Sequence, residues 1–193
     1  MSSTEPEPVY GVDERAQLLQ VARNSIRHGL QHGGPLEVDY QEYPPSLQAQ
    51  RASFVTLHRD GRLRGCIGHL TAIQPLVVDV AGNAYAAAFQ DPRFPPVQMA
   101  ELEDIDLEIS VLSVPEPLPY ADREDLLARI RPGVDGLILT GPAGHSGTFL
   151  PSVWESLPQP QEFLSNLVLK AGLPLGYWSD DIRMQRYTTE SIS

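Results

Sequence analysis

The sequence contains a single cysteine, Cys66, in the run Leu63-Arg64-Gly65-Cys66-Ile67-Gly68. It follows the β-branched, apolar stretch Phe54-Val55-Thr56-Leu57-His58 and the two-residue turn Asp60-Gly61, a pattern that predicts a β-hairpin. Simple pairing around that turn sets Arg59 opposite Arg62, Leu57 opposite Arg64 and Val55 opposite Cys66, all pointing to one face. The thiol then shares a face with three arginines. Positive charge beside a thiol raises its thiolate fraction, the form that attacks electrophiles. Arg59 and Arg62 repel one another across the hairpin, so an anionic partner, either a protein carboxylate or a bound anion, is expected to relieve them. Gly65 and Gly68 inside a strand pattern mark a bulge or a close backbone approach, and exposed amides beside Arg64 suit an anion. A purely structural reading stands beside this one. Cysteine is among the residues most often buried, and Val55 and Leu57 on the same face fit a core side.

Other residues whose chemistry is of interest are scattered. His145, in the glycine-rich loop Gly141-Pro142-Ala143-Gly144-His145-Ser146-Gly147, is a candidate base for Cys66, or else a solvated loop histidine. His69 is a second candidate base. Asp91 and Arg93 flank Pro92 and suit either a loop-fixing ion pair or contact with a ligand. Glu108 is a strand carboxylate expected to pair with an arginine, and Lys170 lies where it complements a helix C-terminus. His28 and His32 stand one helical turn apart without a nearby third ligand, and no histidine or cysteine spacing matches a known metal site, so neither metal nor cofactor is expected. Dinucleotide, phosphate-loop and nucleophile-elbow patterns are absent.

The elements that would position these residues can be read from periodicity. Asp13 is expected to cap a helix with Leu18, Val21, Ala22, Ile26 and Leu30 on one face, stopped at His32-Gly33-Gly34-Pro35. Residues 75–90 carry the narrow small-residue stripe Val77, Val80, Ala81, Ala84, Ala87 and Ala88, a helix able to approach a neighbour closely, ended by Asp91-Pro92. Residues 106–113 alternate with period two and predict a strand with Glu108 and Ser110 on its polar face. Helices over about 122–130 and 161–171, a strand over 136–140, a short helix near Trp154 and a last strand around 182–187 complete the pattern. Hairpins mixed with helices, without regular βαβ alternation, predict an α+β fold with mainly antiparallel sheet.

Composition narrows the function classes. The 193 residues, 41% hydrophobic, suffice for one sizeable core or for one domain with a smaller lobe. One cysteine forms no internal disulfide, which suits a reducing cytoplasm. The first residues read as a disordered tail over 1–12, without the apolar core of a secretory signal, and no stretch is long enough to span a membrane. A net charge of -11 disfavours nucleic acid as partner. The charge is uneven: residues 101–125 hold nine acids and one base, whereas residues 51–64 hold four arginines against Asp60.

The run Leu63 to Gly68, taken with Asp91-Pro92-Arg93-Phe94-Pro95-Pro96-Val97, Glu108-Ile109-Ser110-Val111-Leu112, Gly136-Leu137-Ile138-Leu139, Phe149-Leu150-Pro151 and Leu169-Lys170-Ala171-Gly172-Leu173, resembles the AMMECR domain family over about residues 13–190. The resemblance implies a two-lobed α+β fold with the arginine-glycine-cysteine segment as its signature. It implies no settled reaction. It also implies a shared pathway with Memo-type and radical-SAM proteins, beside which such proteins are encoded in prokaryotes. Two positions depart from the family pattern: His69 stands where threonine is usual, and Pro151-Ser152-Val153 where Pro-Gln-Val is common. The expectation is a cytoplasmic protein that binds an anionic small molecule around Arg64, Gly65, Gly68, Asp91, Arg93, Glu108 and Lys170, with Cys66 as nucleophile, or else a non-catalytic adaptor.

Overall fold

Residues 9–193 are described by a computed structural model, in which the chain divides into two compact units. The first runs to Leu112 and is completed by Glu190–Ser193; the second is Ser113–Thr189. The expected tail over 1–12 falls outside the described residues for 1–8. The rest of it is corrected: Tyr10 is buried, and the amides of Val9 and Tyr10 donate to the Glu190 carboxylate at 2.8 and 3.3 Å.

In the first unit, helix α1 (Val12–His32) buries Leu18, Val21, Ala22 and Ile26, the face set by its period. Its cap is Gly11 rather than Asp13, because the Glu14 carboxylate reaches back to the Gly11 amide at 2.8 Å. Gly33, at φ 79°, ends it. The segment after it contains a 3-10 turn (Tyr40–Glu42) and one α-helical turn, α2 (Pro45–Gln48). Strands β1 (Ser53–Arg59) and β2 (Arg62–Gly68) form the hairpin. Positive φ at both Asp60 (52°) and Gly61 (70°) gives the turn the twist that antiparallel strands need. Helix α3 (Leu76–Phe89) and strand β3 (Ile105–Leu112) follow, and β3 pairs along the other edge of β1. The sheet order is β2-β1-β3-β8, with β8 (Thr189–Ile192) brought in from the C-terminus. Helices α1 and α3 cover one face of this sheet, where Val55, Leu57, Leu107 and Ile109 meet Ile26, Val80, Ala84 and Ala87.

The small-residue stripe of α3 is what lets β2 come close. A Cβ built on Gly65 would fall inside van der Waals contact with the carbonyl oxygen of Ala87.

The second unit holds a sheet of order β4-β7-β5-β6: β4 (Glu116–Pro117), β5 (Gly136–Thr140), β6 (Ser146–Phe149) and β7 (Arg183–Tyr187). Helices α4 (Arg123–Arg129) and α5 (Pro160–Lys170) accompany it. Its core centres on Trp154, which stacks on Phe163 at 3.8 Å while its indole N–H donates to the Asp135 carbonyl at 2.7 Å. Two antiparallel sheets with helices make this an α+β fold, as the element pattern predicts. Among the described residues no helix is long and apolar enough to cross a membrane.

Candidate functional site

The hairpin tip pairs as the turn predicts, Arg59 with Arg62 and His58 with Leu63, but the register then shifts. Leu57 meets Gly65 and Thr56 meets Cys66, so Arg64 is an extra residue, a bulge. A one-residue shift moves every later side chain to the other face. Cys66 therefore does not share the face of Val55 and Leu57. It lies on the opposite one, half-buried, where the Thr56 hydroxyl donates to its sulfur at 3.3 Å. Glu108 sits opposite Thr56 on the same face and accepts from Ser191 at 2.7 Å rather than from an arginine. The Phe54 side chain occupies the space a Cβ on Gly68 would fill. Gly65 and Gly68 thus both have packing reasons to be glycine.

Arg64 is not an unpaired cation. Its Nε and Nη2 donate to the two oxygens of Glu101 at 2.9 and 3.0 Å, and Arg59 Nη1 donates to the same carboxylate at 3.0 Å. Of the two kinds of anionic partner the sequence suggests for the clustered arginines, the protein supplies a carboxylate for these two. Arg59 Nε and Arg64 Nη1 are buried and find no acceptor among the described residues. Arg59, Asp60, Arg62, Leu63 and Arg64 line an open groove of about 470 Å³ at this tip. Arg62 is exposed there, with no ion-pair partner among the described residues.

The Arg64 fork, followed in influence by the Gln98 amide and Arg59, holds the Glu101 carboxyl at about 2, below its usual 4.5. A depressed carboxylate contributes stability that is complete above about pH 4.5 and is lost as pH falls from there toward about 2. Fully expressed, the shift is worth about 3 kcal/mol; screening through the part-exposed Arg59 reduces this to about 1–2 kcal/mol. Urea midpoints measured from pH 6 to pH 3 should fall more for the wild type than for Glu101→Gln. Parallel pH profiles would refute the linkage.

Asp91 and Arg93 form the local ion pair, and they also do something the sequence did not suggest. Strand β2 is a sheet edge, and edge peptides need partners. The buried Asp91 carboxylate accepts the Cys66 amide at 2.9 Å, and Arg93 donates to the Cys66 carbonyl at 3.3 Å. Arg93, bonded to both Asp91 oxygens at 2.9 and 2.7 Å, pushes the Asp91 carboxyl far below the ordinary range. The pair therefore stands in for a neighbouring strand at the cysteine.

His69 reaches a site the sequence reading missed. Its Nε2 lies 2.6 Å from Oδ1 of Asp79, a fully buried carboxylate on α3. Oδ1 also accepts from Gln74; Oδ2 accepts the Ser53 amide, the Ser53 hydroxyl and Asn83 Nδ2. The available signal was the i, i+4 pair Asp79 and Asn83, polar residues beside the apolar stripe of α3. His145 and Lys170 belong to the second unit. His145 Nδ1 lies 3.1 Å from the Ala171 carbonyl at the end of α5, and the Lys170 ammonium sits 4.9 Å from the centre of the Phe149 ring. Among the described residues no cluster of three or more His, Cys, Asp or Glu side chains is placed to hold a metal.

The family model AMMECR1 matches residues 19–192. The chain belongs to the AMMECR1 family. It is 39% identical over 184 residues to a protein of Methanothermobacter thermautotrophicus, covering 92% of this chain and 93% of that one. To a protein of Sulfolobus acidocaldarius it is 38% identical over 180 residues, covering 88% and 76%. Among solved structures, the uncharacterized protein PH0010 of Pyrococcus horikoshii superposes with a TM-score of 0.78 at 36% identity, covering 90% of this chain and 88% of that one. In this AMMECR1-family chain the arginine-glycine-cysteine segment combines two things: a bulged, clamped edge strand, and an arginine groove at its tip.

Proposed function

We propose that this AMMECR1-family protein binds an anionic small molecule in the arginine groove at the β1–β2 tip, acting in the cytoplasm with Memo-type and radical-SAM partners. The observation that carries the reading is donor capacity. Glu101 occupies the fork of Arg64 and one nitrogen of Arg59, whereas Arg62, exposed in the same groove, has no ion-pair partner among the described residues. An exposed guanidinium in a groove lined by three arginines is placed to make charge-assisted hydrogen bonds to an oxyanion. Isothermal titration with inorganic phosphate and with citrate at low salt should give saturable binding that Arg62→Ala weakens about tenfold, the value of one charged hydrogen bond. Binding that is absent, or equal in the variant, would refute it.

A second reading, a non-catalytic adaptor, draws support from the structural work done by the signature itself. Gly65 packs on α3, Gly68 makes room for Phe54, and the Cys66 peptide is clamped by Asp91 and Arg93. Under that reading Cys66→Ser leaves complex formation with a Memo-type protein intact.

A further inference from the structure

We propose that His28 and His32, at the last turn of α1, form a surface site for a divalent transition-metal cation such as Cu²⁺ or Zn²⁺. Side chains four apart on a helix lie one above the other. The two imidazole rings are 4.6 Å apart between centroids, with their planes 42° apart. A tetrahedral cation bound at about 2.0–2.1 Å by two imidazoles holds its donor nitrogens about 3.4 Å apart, a spacing that small side-chain rotations give to rings so placed.

The second observation concerns which nitrogen is available. His28 Nδ1 lies 2.8 Å from the Gly34 carbonyl oxygen. A carbonyl only accepts, so Nδ1 carries the proton and the neutral ring keeps its lone pair on Nε2. Metal-binding histidines have this arrangement, with one ring nitrogen tied to a carbonyl or carboxylate and the other turned to the ion.

The carbonyl that sets the tautomer is itself held. The Gly33 amide donates to the Gly29 carbonyl at 2.9 Å, the Tyr85 hydroxyl to the Gly33 carbonyl at 3.1 Å, and the Leu36 amide to the Ser25 hydroxyl at 3.1 Å. The loop after α1 is thereby folded back on the helix, and the first ligand is oriented before the ion arrives. His32 is exposed and supplies the second nitrogen. Imidazole pairs favour Cu²⁺, Ni²⁺ and Zn²⁺ over Mg²⁺ or Ca²⁺, with Cu²⁺ strongest. A net charge of -11 draws cations toward the protein. Two protein ligands leave further coordination positions open to water, so the ion is exchangeable.

The test is titration of the full chain, stripped of metal with a chelator, with Cu²⁺ and with Zn²⁺. One ion per chain is expected, and the Cu²⁺ electron paramagnetic resonance spectrum should show two coordinated imidazole nitrogens. Loss of a ligand should cost at least the tenfold to hundredfold that loss of a supporting partner costs, so His32→Gln and His28→Gln should each weaken binding tenfold or more, with His58→Gln unchanged. His32 is exposed, so His32→Gln serves even where His28→Gln disturbs the loop. Equal affinity in His32→Gln, a spectrum with one imidazole, or binding no tighter than in the His28→Gln/His32→Gln double variant would overturn the proposal.

Discussion

Asp79→Ala is expected to lower the stability of the first unit by about 3–5 kcal/mol, because it removes the one acceptor that four donors share and that His69 lies against. Three of those donors, the Ser53 amide, the Ser53 hydroxyl and the Asn83 amide, are buried, and no other group is placed to take them all. Asp79→Asn should cost much less, about 1–2 kcal/mol. Its carbonyl still serves Ser53 and Asn83, and the amide that replaces Oδ1 faces only Gln74 and the part-exposed His69. Urea unfolding followed by far-UV circular dichroism reads the loss of α1 and α3. Both tryptophans, Trp154 and Trp178, lie in the second unit, so their fluorescence follows that unit separately. An Asp79→Ala midpoint equal to wild type would show that the network contributes no net stability; one equal to Asp79→Asn would show that acceptor geometry is irrelevant.

Where a single periodic pattern decided an element, the sequence was legible. The apolar face of α1, the extent of α5, the stripe of α3, the alternation of β3 and the Asp60-Gly61 turn all stand within a residue or two of where they were read. What local pattern could not reveal was anything set by one residue or by distant partners. The bulge at Arg64 has no signature beyond the glycine beside it, yet it moves Cys66 from the face of Val55 to that of Thr56. Glu101, the carboxylate that quiets Arg64, comes from 37 residues further along, and Asp91 reaches the Cys66 amide across 25. Strand β8 is only four residues long, too short to announce itself. The chemistry of the site was therefore half legible: the arginines and the cysteine were found, but which of them remain available depended on contacts that only the fold makes.

Gly65→Ala and Gly82→Ala, the same substitution in two elements that touch, should act with opposite signs. At Gly65 the new methyl would enter the carbonyl of Ala87 and lie 3.6 Å from Leu57 Cδ1. That carbonyl is part of the α3 backbone, so it cannot swing aside as the end of a side chain can. Strand β2 must instead lift from α3, at a cost of about 1–3 kcal/mol or more. Because Asp91 grips β2 from the following loop, the displacement should also loosen the Cys66 amide contact and speed alkylation of the thiol. At Gly82, inside α3, a Cβ meets nothing within 4 Å, so alanine only removes backbone freedom from the unfolded chain. That change should stabilise by about 0.5–1 kcal/mol. Paired urea midpoints and alkylation rates check both halves. If Gly65→Ala were neutral and left Cys66 as slow to react as in wild type, close packing of β2 on α3 would not be what makes position 65 glycine.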